Sequence, residues 1–216
     1  MTVSSWIVDG VFIGKISHRW EGKEPSAIAK TAIAGRQTLS HTGLITDEQA
    51  DLVAHGGVDK ALHHYPADHY AAWQNEALIP AGTVPAAFGE NISTLGLTEQ
   101  NVHIGDSFRL GSAVVQISQG RQPCWKLSTH TEQPTMAYRF HKTGRTGWYY
   151  RVLQEGTFEQ GDSLELLDRD VAKVSVFDAT RARLDKRAHP DLLARLVALT
   201  SLSEEWRTYF AAMQNG

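Results

Sequence analysis

Residues 120–127 read GRQPCWKL, and Cys124 is the single cysteine in 216 residues. It stands between Pro123 and Trp125, with Arg121 and Lys126 close by. The thiolate is the form of cysteine that attacks electrophiles or binds metal, and neighbouring cations favour it. The proline reads as a loop leaving a sheet. A lone cysteine is as often a small buried hydrophobe, so spacing leaves both readings open.

Three further segments hold groups that bind or move charge. SAIAKTAIAGR (26–36) places Lys30, Thr31 and Arg36 among small residues. Such a stretch can gather amides, a hydroxyl and two cations around an anion such as phosphate. It lacks the GxxxxGK[ST] pattern, and spacing alone favours an exposed strand edge. HGGVDKALHHYP (55–66) joins His55, two glycines, Asp59 and Lys60. Paired glycines let the backbone approach a ligand, and His55 with Asp59 is suited to proton transfer. An ordinary turn fits equally. AAFGENIST (86–94) carries Glu90 and Asn91 in an expected turn, and an Asn carboxamide can pair with a heterocycle edge. HKTGRTGWYY (141–150) is a basic Gly-rich loop that fits a pocket mouth or a plain hairpin. The ten histidines show no HExxH or compact zinc pattern.

These groups need a scaffold. GVFIGKI (10–16), GWYYRVL (147–153) and DSLELLD (162–168) read as strands. Residues 101–119 read as a three-strand meander, with turns at Gly105-Asp106 and Gly111-Ser112. Helices are expected over 66–78, near 134–141, and in three short pieces after residue 171, the last capped by Ser203. Short Gly-punctuated strands in this number curl into a barrel or sandwich. The expectation is a mainly β barrel domain over 1–170 and a three-helix extension over 171–216 that packs on it. Net charge is −3 and the helices lack a basic recognition face, which argues against nucleic acid. No run approaches the roughly 20 apolar residues of a membrane span. One cysteine excludes an internal disulfide framework and fits a reducing cytoplasm.

Taken together and in order, PSAIAKTAI, TDEQADLVAHGGVDKALHHYP, AAFGENISTLGLTEQNVHIGD, VQISQGRQPCWKL and TGRTGWYYRVL resemble the MOSC-domain family. The family is named for the C-terminal domain of molybdenum cofactor sulfurase. The likeness is to its stand-alone bacterial YiiM type, which also carries three C-terminal helices. One departure is Gly120, where that type usually has proline. The resemblance implies a MOSC β-barrel holding the molybdenum cofactor, a pterin dithiolene with a phosphate. Cys124 would be the thiolate ligand to molybdenum. Lys30, Thr31, Lys60, Glu90, Asn91 and Arg121 would bind the cofactor, with His55 and Asp59 beside the chemistry. It further implies reduction of N-hydroxylated compounds such as purine bases, with an external electron-donor protein. It leaves pyridoxal phosphate binding and a homo-oligomer open.

Other readings of the same residues stand beside this one. In one, Cys124 carries a persulfide as a sulfur carrier; in another, the chain binds and delivers the cofactor without turnover. A thiol hydrolase using Cys124 with His55 ranks last, since no nucleophile-elbow motif is present.

Overall fold

The structure is a computed structural model that describes residues 4–52 and 56–214. Its strands are β1 (Ser5–Ile7), β2 (Gly10–Gly14), β3 (Lys30–Ala32), β4 (Gln37–Ser40), β5 (Gly43–Leu44), β6 (Leu62–His64), β7 (Ile92–Ser93), β8 (Ser107–Leu110), β9 (Ala113–Gly120), β10 (Trp148–Gln154), β11 (Gly156–Phe158) and β12 (Ser163–Asp168). The helices are α1 (Asp68–Asn75), α2 (Trp125–His130), α3 (Met136–Thr143), α4 (Val176–Asp185), α5 (Pro190–Ala198) and α6 (Glu204–Gln214).

Nine strands form one curled sheet in the order β1-β12-β8-β9-β10-β6-β7-β2-β3, and β11-β4-β5 form a second. The large sheet keeps two ends, β1 and β3, so it is a half-barrel rather than a closed one. Alternation turns one face of the sheet to the core. Phe108, Leu110, Ala113, Val115 and Ile117 from β8 and β9 are buried, as are Trp148, Tyr150 and Val152 from β10.

The expected strand at Val102 and Ile104 is instead a turn, with a single bridge from His103 to Ser175. Both apolar side chains are buried, so their alternation reports burial without a ladder. Helix 66–78 is shorter than expected, because Ala77 leaves it at a φ of 54°. The six-residue α2 was not expected at all, being too short to show a period.

Two of the C-terminal helices start on serine caps. Ser175 Oγ accepts from Asp178 N–H at 3.0 Å, and Ser203 Oγ accepts from Trp206 N–H at 3.3 Å. Val176, Ala179, Leu196, Trp206 and Phe210 join the same apolar core as Ile117 and Trp148. The helices therefore share the core of the half-barrel instead of forming their own.

One contact in that seam is unusually close. A Cβ on Gly120 would stand 1.9 Å from Thr180 Oγ1 and 3.1 Å from Trp206 Cη2. Both neighbours are fully buried. Gly120→Ala is expected to cost about 1–3 kcal/mol by overpacking. Thr180→Ala should recover part of that loss in a double-mutant cycle read by urea unfolding. A neutral Gly120→Ala would show that the helices dock more loosely than this.

Candidate functional site

The site is built across three adjacent strands. His63 on β6 lies opposite Tyr149 on β10, and Tyr149 lies opposite Gln119 on β9. Opposed residues of antiparallel strands share a face, so these three side chains form a row. The His63 and Tyr149 rings are tilted against each other with centroids 5.0 Å apart. His64, one residue on, turns to the other face and enters the core.

Where β9 ends, Arg121 takes the chain out of the sheet, its N–H donating to Gly147 C=O at 3.1 Å. Cys124 follows in extended conformation immediately before α2, half-buried, its side chain not used to cap the helix. Two hollows meet there. The inner one, about 90 Å³, has room for several waters and is lined by Lys30, Asp47, His63, Asn91, Arg121 and Cys124, among others. The outer groove, about 740 Å³, is lined by Gln119, Pro123, Cys124, Trp125 and Glu205, among others. Cys124, Lys60, Lys126, Tyr149 and Asp51 border both.

The inner wall is held by an interlocked polar set. Asp47 Oδ1 accepts from Gly14 N–H at 2.6 Å, and Oδ2 accepts from Lys30 Nζ at 2.5 Å and Asn91 Nδ2 at 2.8 Å. Asn91 Oδ1 accepts from His63 N–H at 3.1 Å. Burial lowers the pKa of Lys30, and the Asp47 charge opposes that. Gly89 has φ 79°, and a Cβ there would stand 2.9 Å from Ile28 Cγ1. That conformation lets its carbonyl lie 3.1 Å from His63 Nδ1, which must then carry the proton. Nε2 of His63 is left as a buried acceptor without a partner. Burial, then the Arg121 charge, hold the His63 pKa well below its usual value, so the ring is neutral.

Charge on the wall is unevenly matched. Lys30 is answered by Asp47, Lys60 Nζ by Glu205 at 2.8 Å, and Lys126 Nζ donates to Pro25 C=O at 3.2 Å. Arg121 is 6% exposed, and its Nη1 is buried with no hydrogen-bond partner. Its described contact is with the Phe140 ring, 5.8 Å from the centroid.

The sequence-expected residues separate accordingly. Cys124, Lys30, Lys60, Asn91 and Arg121 come together on the inner hollow. Thr31 and Arg36 are exposed, and Arg36 pairs with Glu159 at 2.5 Å. Glu90 is fully buried away from the hollow, accepting from Ala86 N–H, Phe88 N–H and the Tyr70 hydroxyl. It shapes the FGEN turn. Asp59 does not line either hollow, and its carboxylate pairs with Arg151 at 2.6 Å. His55 lies outside the described residues. Asp47, His63, Gln119 and Tyr149 were not singled out as site residues from sequence. Only their strand register, which short sequence windows do not show, brings them together.

His64 gives the site a pH limit. It is fully buried, bonded through Nδ1 to the Tyr150 hydroxyl and through Nε2 to the Thr94 hydroxyl, each at 3.0 Å. Burial pushes its pKa from 6.5 down to about 3. Between these values the unfolded chain binds the proton and the folded chain does not, so stability falls as pH falls. From about pH 7 to about pH 5, His64 alone is expected to remove about 2 kcal/mol. Urea unfolding at the two pH values should show this loss, and His64→Gln should flatten it. An unchanged pH slope in that variant would contradict the assignment.

The MOSC domain family model matches residues 51–165. The chain is 44% identical over 197 residues to Protein YiiM of Escherichia coli K12, covering 91% of this chain and 87% of that protein. It is 37% identical over 184 residues to a protein of Gibberella moniliformis named Reductase, spanning 82% of this chain but 32% of that longer protein. The crystal structure of YiiM from Geobacillus stearothermophilus superposes with a TM-score of 0.81 at 31% identity, covering 97% of this chain and 99% of that one.

Proposed function

Since the chain belongs to the MOSC domain family, we propose that it is a molybdenum-cofactor-dependent reductase of N-hydroxylated compounds, supplied by an external electron donor. The observation that carries this reading is the junction at Cys124. One sulfur atom's residue borders both hollows, beside a guanidinium whose buried Nη1 is unpartnered. An unpaired buried cation is costly in a low dielectric, and an anionic group against Arg121 would remove that cost.

The residues fit the proposed group. Thiolate is a soft ligand, suited to a metal already chelated by sulfur. Among the described residues, no cluster of three or more His, Cys, Asp or Glu side chains is disposed to hold a bare ion. A metal at Cys124 would therefore bring its other ligands with it. Cys124 would bind the metal, while Arg121, Lys126 and Lys60 would face the cofactor's anionic part. Lys30 and Asn91 line the same hollow but are already tied to Asp47, so they support its wall.

When bound, the cofactor would supply the two-electron reduction of an N–O bond. The balance is N–OH plus two electrons and two protons, giving N–H and water. The chain's part is to orient the substrate and hold protons. Burial raises the Tyr149 phenol above its usual pKa, the Arg121 charge opposes this and the Cys124 charge adds to it, so Tyr149 remains a hydrogen-bond donor. His63 Nε2 remains an acceptor. A single cysteine cannot hold an iron–sulfur cluster, so electrons would come from a separate donor in the cytoplasm. The name of the fungal relative supports a reductive activity for the family.

The test is to purify the protein from hosts with and without cofactor biosynthesis and assay an N-hydroxylated purine with reduced methyl viologen. Activity is expected only from the first host. Equal activity from both would overturn the reading.

A further inference from the structure

Resting on that reading, we propose that the C-terminal helices are a working part of the site. They fix the turn that carries Lys60 to the hollows, through two positioning residues, Arg151 and Glu205. The turn Val58–Lys60 follows Gly56 and Gly57, with Gly57 at φ 93°, and none of its residues is buried. Val58 is 60% exposed. Apolar packing therefore does not hold the turn, and the glycines ahead of it add backbone freedom that must be removed. Yet Lys60 borders both hollows, with its side chain only 11% exposed. A cation meant to meet an anionic group is effective only when its own supports are rigid.

Those supports lead to the helical extension. Arg151 of β10 donates from Nε to Asp59 Oδ1 at 2.8 Å, with Nη2 2.6 Å from the same oxygen. Its Nη1 donates to Ser201 C=O at 2.7 Å and to Gln116 Oε1 at 3.0 Å. The guanidinium fork ties the turn to the connection between α5 and α6. Ser118 of β9 makes a second tie. Its hydroxyl donates to Asp59 C=O at 2.5 Å, and its own C=O accepts from Ser203 N–H at 2.9 Å. Glu205 makes a third, accepting from Lys60 Nζ at 2.8 Å. It stands in the first turn of α6 immediately before the fully buried Trp206, so the core anchors its backbone. Ser201, Ser203 and Glu205 form one corner of the extension, and all three ties converge from it on a turn without buried residues.

The test compares wild type, Arg151→Met, Glu205→Leu, Glu205→Gln and Lys60→Met, each purified from hosts with and without cofactor biosynthesis. In protein from the second host, hydrogen exchange is followed in a peptide spanning residues 56–62. Arg151→Met is expected to speed it about tenfold, as loss of hydrogen bonds to a charged group does, and Glu205→Leu by a smaller factor. Urea unfolding should show the rest of the chain folded. In protein from the first host, Lys60→Met, Arg151→Met and Glu205→Leu should each lower pterin per chain. Glu205→Gln keeps an acceptor for Lys60 and should restore most of the loss. In a Lys60→Met background, neither Arg151→Met nor Glu205→Leu should lower pterin further, because both act through Lys60. If Arg151→Met does not fold, the two variants of the half-exposed Glu205 decide by the same measurements. Unchanged exchange, losses that add to that of Lys60→Met, or equal losses in Glu205→Leu and Glu205→Gln would overturn the proposal. So would pterin content independent of Lys60. Wild type without pterin would overturn the cofactor reading alone, with the exchange rates still deciding whether the helices hold the turn.

Discussion

Cys124→Ser is expected to lower N–OH reduction by at least about a hundredfold. Loss of a group merely behind a metal ligand already costs about 10- to 100-fold, and here the ligand itself changes from soft sulfur to hard oxygen. The fold should survive. Cys124 is half-buried and does not cap α2, and serine differs from it by one atom. Unfolding free energy should therefore change by no more than about 1 kcal/mol. Activity is measured with reduced methyl viologen as donor, and stability by urea unfolding of the same preparation. Full activity in the variant would remove the sulfur from the mechanism. Persistent cyanide-labile sulfur on wild-type Cys124, without metal or pterin, would favour the sulfur-carrier alternative.

Asp47→Ala is expected to be the most destabilising single change at the site, by about 3–5 kcal/mol, because it leaves a buried charge without its partner. The side chains of Lys30 and Asp47 are 7% and 6% exposed, and their ion pair is 2.5 Å long. Asp47 also fixes Gly14 N–H and Asn91, and Asn91 in turn fixes His63. For a chain of this size the melting temperature should fall by about 6–20 °C. Replacing the pair together, Lys30→Met with Asp47→Leu, should cost less than Asp47→Ala alone, since no charge is then stranded. If Asp47→Ala is neutral, Lys30 has found another partner or lost its proton, and the inner wall is not organised as described.

Much of this arrangement is visible in the sequence because local chemistry decides it. Pro123 marks the loop at Cys124, Gly89 marks a turn, and Ser203 acts where a helix start needs an oxygen. Lys30, Lys60, Asn91 and Arg121 line one hollow. What sequence hides is register. His63, Tyr149 and Gln119 are far apart in the chain and meet only because β6, β10 and β9 pair as they do. Nothing local distinguishes His63 from His64, yet one faces the hollow and the other the core. Glu90 and Asp59 show the converse. Each carries a reactive group near a glycine turn, and in each the carboxylate is tied to neighbours that shape the fold. Val102 and Ile104 alternate like a strand but are buried in a turn.

The most direct measurement is the molybdenum and pterin content of freshly purified protein from a host with intact cofactor biosynthesis. Elemental analysis and fluorescence after oxidation should find both in step with the chain, and Arg121→Ala should lower both while the chain stays folded. Wild-type protein that contains neither, yet reduces N-hydroxylated compounds at full rate, would contradict the account.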